Sequence, residues 1–164
     1  MTLVLPNLQA KQRGQVLTTI AVTNRIDLVM AEWGFIAAEE VRSVTLDNVV
    51  VDTGATLLSL PAPIISQLGL KQVRERDVKT SAGIKKRRFF AGAQIIVEGR
   101  EGRFDCLELP EGVSAVLLGV IPMEELGLEP DLKNQRPRVL PMNDQQTYLM
   151  FSRSAFTVAQ TSRL

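Results

Sequence analysis

Short runs rich in Val, Ile, Leu and Thr recur along the chain, broken by Gly, Pro, Asp and Asn, which is the pattern of many short strands at roughly 8- to 12-residue spacing. Leu17–Met30 and Val41–Val51 read as strands, the second carrying Asp47-Asn48 as a turn or bulge. The stretch between them, Glu32–Glu40, fits a loop or a helical turn equally well. Val73–Lys79 and Arg87–Val97 read as the arms of a hairpin, joined by the small residues of Thr80-Ser81-Ala82-Gly83-Ile84. Gly99–Gly102 marks a turn and Phe104–Leu109 a further strand. Val113–Leu118 is an unbroken apolar run closed by Gly119, expected to form a buried strand. Leu132 and Val139-Leu140 flank Lys133–Pro137 as a terminal hairpin.

Two segments have helical spacing instead. Pro63–Leu68 has proline in its first turn, Ile64, Ile65 and Leu68 on one side, and Gly69 as a stop. Pro122–Leu126 before Gly127 repeats that order. Together they form a faint internal echo, Asp52-Thr53-Gly54 ahead of Leu68-Gly69-Leu70 and Leu117-Leu118-Gly119 ahead of Leu126-Gly127-Leu128, although the glycine-to-glycine intervals are 15 and 8 residues. The sum is a mainly β fold, sandwich or barrel, with two brief helices.

A length of 164 residues suits one domain spanning 1–164. The 45% hydrophobic and 23% charged content is that of a chain that folds around a core. The histidine count is zero, which excludes a Ser/His/Asp triad, a Cys/His pair and any metal or haem site built on the chain's own imidazole. Cys106 is the only cysteine, so no intrachain disulfide or thiolate cluster forms, as expected in a reducing compartment. A net charge of +1 gives no overall field for nucleic acid or an anionic membrane. The longest apolar stretch, Ala115–Met123, is nine residues and contains Gly119 and Pro122, where a membrane-spanning helix needs about 20. The start has only the short apolar run Leu3–Pro6, with charges at Lys11 and Arg13, and does not read as a signal peptide. The expectation is a soluble, cytoplasmic protein without a membrane partner.

Catalysis near neutral pH then falls to carboxylates, amines, hydroxyls, the thiol or an oxygen-held metal. The strongest signal is Val49-Val50-Val51-Asp52-Thr53-Gly54-Ala55-Thr56. A carboxylate directly after an apolar strand must be paired, hydrogen-bonded or protonated, because an isolated buried charge costs several kcal/mol. Thr53 brings a hydroxyl, and Gly54 lacks a β-carbon and so permits a close backbone contact.

These residues resemble the retropepsin-like aspartic proteases, the retroviral proteases and their bacterial relatives. The resemblance rests on Asp52-Thr53-Gly54-Ala55 after its apolar strand, the hairpin Thr80–Ile84, the segment Leu117-Leu118-Gly119 and the helix beginning near Pro122, and it covers about Val41–Pro141. Residues 1–40 and 142–164 are extensions to it. It implies a small closed β-barrel of the retropepsin-like acid protease type with one or two short helices. It also implies a C2 homodimer, since one chain supplies one Asp-Thr-Gly. In that dimer Asp52 is the shared catalytic acid-base, and Thr53 hydrogen-bonds across the axis. Gly54 lets the two loops meet and Ala55 supports the active-site loop, while Leu117, Leu118 and Gly119 pack beneath it. Ser81, Ala82, Gly83 and Ile84 form a flap over a peptide substrate, with Ile84 and Val116 as candidate pocket walls. The implied activity is endopeptidase hydrolysis without metal or other cofactor. The alternative from a different class is a catalytically silent peptide-binding or assembly module on the same fold.

Other motifs have plainer readings. Lys85-Lys86-Arg87-Arg88 is read as a solvated hairpin arm, because no aromatic interleaves it for base stacking, and no nucleic-acid partner is expected. If the run lies on the flap it favours acidic substrates. Glu39-Glu40 and Glu124-Glu125 read as exposed acids near helix starts, and Cys106 as a thiol packed within a strand.

Overall fold

In a computed structural model of the chain, residues 14–141 are described; the run Leu3–Pro6, the charges at Lys11 and Arg13 and the tail from Met142 to Leu164 fall outside them. Strand β1 (Val16–Asn24) buries every second residue, Val16, Thr18, Ile20, Val22 and Asn24, which puts its apolar side inward. The strand expected to run on to Met30 stops at Asn24, where the side chain accepts the Asp27 N–H at 3.1 Å and caps helix α1 (Arg25–Glu32). The undecided stretch after it contains a single 3-10 turn, Ala38–Glu40.

Strand β2 (Ser43–Val51) pairs antiparallel with β1, and two residues, Asp47 and Asn48, face Thr19 alone. The bulge read from Asp47-Asn48 is therefore present, with Asn48 at φ 57° and Asp47 accepting the Thr19 hydroxyl at 2.8 Å. Strand β3 (Leu58–Leu60) leads through Pro61 into helix α2 (Ala62–Leu68), which Gly69 ends in the left-handed conformation at φ 62°. Gly127 does the same for helix α3 (Val120–Leu126). Both stops occur where the sequence places them, but the helices among the described residues total three, one more than expected, because the capping role of Asn24 is hidden inside a β-rich run.

The hairpin of β4 (Lys71–Thr80) and β5 (Gly83–Val97) has longer arms than its apolar residues suggest. Glu98-Gly99 turns β5 into β6 (Arg100–Glu108), so Gly102 lies inside a strand and not in the turn. The expected strand Val113–Leu118 shrinks to β7 (Leu117–Leu118), with Val113–Ala115 exposed. Strands β8 (Leu128–Asp131) and β9 (Arg136–Val139) form the terminal hairpin as a separate two-stranded sheet.

The seven-stranded sheet has the order β1-β2-β7-β3-β6-β5-β4, and β1 also pairs with β5. Six strands thus close a ring, and β4 is left outside it on β5. The ring encloses a single apolar cluster in which Ile20, Val22, Val49, Leu58, Leu60, Ile95, Val97 and Leu118 are fully buried. Burying side chains of this size contributes about 1.5 to 3 kcal/mol each, the main favourable term in the fold. The fold is mainly β, and among the described residues no helix is long and apolar enough to cross a membrane.

Candidate functional site

The valine run that precedes Asp52 places it. Val49 and Val51 point into the core, so β2 is anchored up to its last residue and the chain leaves the ring at Asp52 in a defined direction. The exit is held by β7: Val50 N–H donates to Val116 O at 2.9 Å and Asp52 N–H donates to Leu118 O at 3.0 Å. The loop then closes on itself, with Ala55 N–H donating to Asp52 O at 3.1 Å and Gly54 N–H to the carboxylate Oδ1 at 2.8 Å. A β-carbon on Gly54 would lie 3.1 Å from that oxygen, a tight contact that the carboxylate would have to yield to.

Strands β2 and β3 flank the loop but do not pair with each other. Instead β7 lies between them, parallel to β2 and antiparallel to β3 through Ser59 and Leu117. Immediately after β7, a β-carbon on Gly119 would stand 2.5 Å from Leu57 O and 2.7 Å from Ala55 O. The loop backbone therefore rests directly on Gly119. The next two amides complete the seat: Val120 N–H donates to Ala55 O at 2.9 Å and Ile121 N–H to Thr56 O at 3.0 Å. These are first-turn amides of α3, which have no partner within their own helix.

Leu117, Leu118 and Gly119 thus lie beneath Asp52–Ala55. Asp52 and Ala55 are half-buried, Thr53 and Gly54 exposed, and among the described residues the Thr53 hydroxyl has no hydrogen-bond partner. The loop presents its carboxylate and hydroxyl on an open surface. Three surface clefts, of about 510, 500 and 470 Å³, lie elsewhere, around Thr18 and Asp47, around Leu28 and Val41, and around Pro61 and Arg88.

Ser81 and Ala82 form the two-residue tip of the β4–β5 hairpin. Thr80 stiffens it, donating its hydroxyl to Gly83 O at 2.8 Å and accepting the Ala82 N–H at 3.2 Å. Gly83 has φ 101°, and Ile84 beside it is 71% exposed. Val116, named as a pocket wall, is buried in the core and lines no open surface. Lys85–Arg88 lie on the β5 arm, as read. Glu39 and Glu40 form the 3-10 turn, while Glu124 and Glu125 sit in the second half of α3 and not at its start. Cys106 is wholly buried, and burial first, then the neighbouring Asp105 charge, pushes its thiol up to about 12, which leaves it unreactive near neutral pH.

One cluster was missed from the sequence. Asp27 accepts from Arg42 three times, from its backbone N–H at 3.1 Å, Nε at 2.7 Å and Nη2 at 2.9 Å. The Arg42 side-chain hydrogen bonds hold the Asp27 carboxyl below its ordinary range, against the opposing effect of burial. Asn24 Nδ2 donates to Leu68 O at 2.8 Å and Gly69 O at 3.2 Å, so the cap of α1 also closes the end of α2. The signal was Asn three residues before Asp, a helix start hidden in a β-rich run. No protein-family model matches the chain, and no curated protein does.

Proposed function

We propose that the chain is one half of an aspartic endopeptidase, a retropepsin-like closed β-barrel whose catalytic dyad forms when two copies bring their Asp52 loops together. One observation carries the reading: the Asp-Thr-Gly loop is seated on a two-residue strand anchored by the buried Leu118 and on Gly119, yet turns its carboxylate and an unpartnered hydroxyl outward. A carboxylate in a turn needed only for chain reversal requires no such platform. The exposed Thr53 hydroxyl and the exposed backbone of Gly54 suit contact with a twin loop.

In the dimer two carboxyl groups in contact cannot both ionise readily, so the pair shares a proton between its two macroscopic pKa values. The ionised member takes a proton from water, which attacks the scissile carbonyl carbon. The protonated member hydrogen-bonds the carbonyl oxygen and later supplies the proton to the leaving amine. No covalent enzyme intermediate forms and no imidazole is required. An extended substrate pairs its backbone with the arm tip at Ser81–Gly83, near the exposed Ile84. A cytoplasmic workplace is part of the same reading, supported by the lone buried thiol.

The test is cleavage of a peptide library between about pH 4 and 7 by the wild type and by Asp52→Asn, a range that reaches the upper titration step of such dyads, with sedimentation of both proteins. The expected result is a dimer in both and a loss of turnover of several orders of magnitude in the variant. Equal turnover in the two overturns the reading. A wild type that sediments as a monomer at high concentration and cleaves nothing does so as well, and assigns the loop to a silent peptide-binding or assembly module.

A further inference from the structure

Among the described residues strand β4 ends the sheet: it pairs with β5 on one side and has no strand on the other. Ten residues long, with Lys71–Asp77 all exposed, it offers a row of free backbone N–H and C=O groups. Beyond Phe89, β5 pairs only with β4, so the distal arm is a two-stranded ribbon with two solvent-facing sides.

Those two sides differ in charge. On one, Glu75 lies opposite Arg88 and Asp77 opposite Lys86, with an ion pair between Lys86 and Glu75 at 3.7 Å and another between Arg88 and Glu108. On the other, Arg76 lies opposite Arg87 and Lys85 opposite Val78. Arg74 precedes them on that side, over the Phe89 ring and bonded to Asp105. Arg76, Lys85 and Arg87 make no ion pair with any described residue. Between Lys71 and Arg88 fall eight of the 19 basic residues and two of the 18 acidic ones, so this segment carries +6 and the remainder of the chain −5.

Like charges directly opposite each other in a sheet are destabilising. Keeping an edge strand from sticking to others requires charge, but acids and bases set opposite each other, as on the first side, do that without the repulsion. The Arg76–Arg87 pair is a cost with no return inside the molecule.

We infer that this edge binds an extended acidic segment of a partner protein, added as a strand along β4, with acidic side chains at alternate positions. Backbone pairing supplies the attachment, and the period of two supplies the selection. Every second residue of the added strand faces Arg74, Arg76 and, one strand further, Lys85 and Arg87. The residues between them face Glu75 and Asp77 and are best neutral or basic. A polynucleotide fits less well, since it cannot use the free ladder and finds no exposed aromatic on this side for its bases. The site is separate from the Asp52 loop and does not depend on peptidase activity.

The experiment measures fluorescence anisotropy of two labelled peptides on the full chain. They have equal composition, one with Asp at alternate positions among Thr, the other with the Asp residues in one block. The alternating peptide is expected to bind about tenfold more tightly, the scale of two or three cross-strand ion pairs. Arg76→Glu with Arg87→Glu removes this preference. Lys79→Glu with Lys86→Glu makes the same change in net charge on the opposite side and preserves it. Equal affinity for the two peptides overturns the inference, as does equal loss of preference in the two double variants. Tighter binding of a polynucleotide of matched charge overturns it in favour of a phosphate ligand.

Discussion

Strand β5 belongs to two regions that share little else. From Phe89 to Val97 it is a wall of the ring, with Ala93, Ile95 and Val97 wholly buried; from Gly83 to Arg88 it is one rail of a ribbon in water. The ring fixes the Asp52 loop by backbone hydrogen bonds and a glycine contact with no slack, whereas the arm buries almost nothing and concentrates cations. Under the proposed function, the difference separates the two tasks such an enzyme would face. A reacting carboxylate must be held to within a fraction of an ångström, and the ring provides that rigidity. Recognition of an extended chain needs free backbone and accessible charge, which only an edge outside the ring retains.

Substitutions can break this division. The largest stability effect is expected at Gly119→Ala, where the new methyl meets backbone oxygens that cannot move without shifting the Asp52 loop. A loss of about 1 to 3 kcal/mol in urea unfolding is expected, together with reduced turnover under the proposed function. A neutral result would show that the loop is not seated as described.

Acid sharpens the comparison from the ring side. The Asp27 carboxyl is held low by Arg42, so its contribution to stability is complete above its ordinary value near 3.8 and lost as pH falls through the lowered folded value. The difference in melting temperature between wild type and Asp27→Asn is therefore expected to be large at pH 7 and to shrink below about pH 3.8. A gap that stays constant across this range would mean that the Arg42 contact does not stabilise the charged form. The smallest effect belongs to the arm. Ser81→Ala at the tip is expected to change unfolding free energy by less than about 0.5 kcal/mol, the usual range for surface positions. A larger loss would show that the tip is bound into the structure and not free.

What was legible along the chain follows from short-range physics. Gly69 and Gly127 stop their helices because a residue without a β-carbon enters the left-handed conformation cheaply, and the surrounding sequence already announces both stops. Asp47-Asn48 announces a bulge for a different local reason: Asn, with a short polar side chain that hydrogen-bonds nearby backbone, tolerates the left-handed conformation. Helix α1 escaped because Ile26 and Val29 are strand-favouring residues that follow a genuine strand without a break. Val113–Ala115 misled for the opposite reason: they are apolar enough for a strand, but no strand among the described residues pairs with them, and pairing begins only at Leu117.

The chain's own order of residues determined that Asp52 would leave an apolar strand, that Gly54 would follow within hydrogen-bonding reach, and that imidazole chemistry was closed to it. Each of these is a matter of composition or of contacts a few residues apart. Tertiary structure alone decided that Leu117-Leu118 would lie between β2 and β3, which sets Gly119 under a loop more than sixty residues earlier in the chain. It also decided that the acids and bases of one ribbon would sort into a paired side and a cationic one. Long-range strand order and cross-strand register are set by how the whole ring closes, and no local pattern records them.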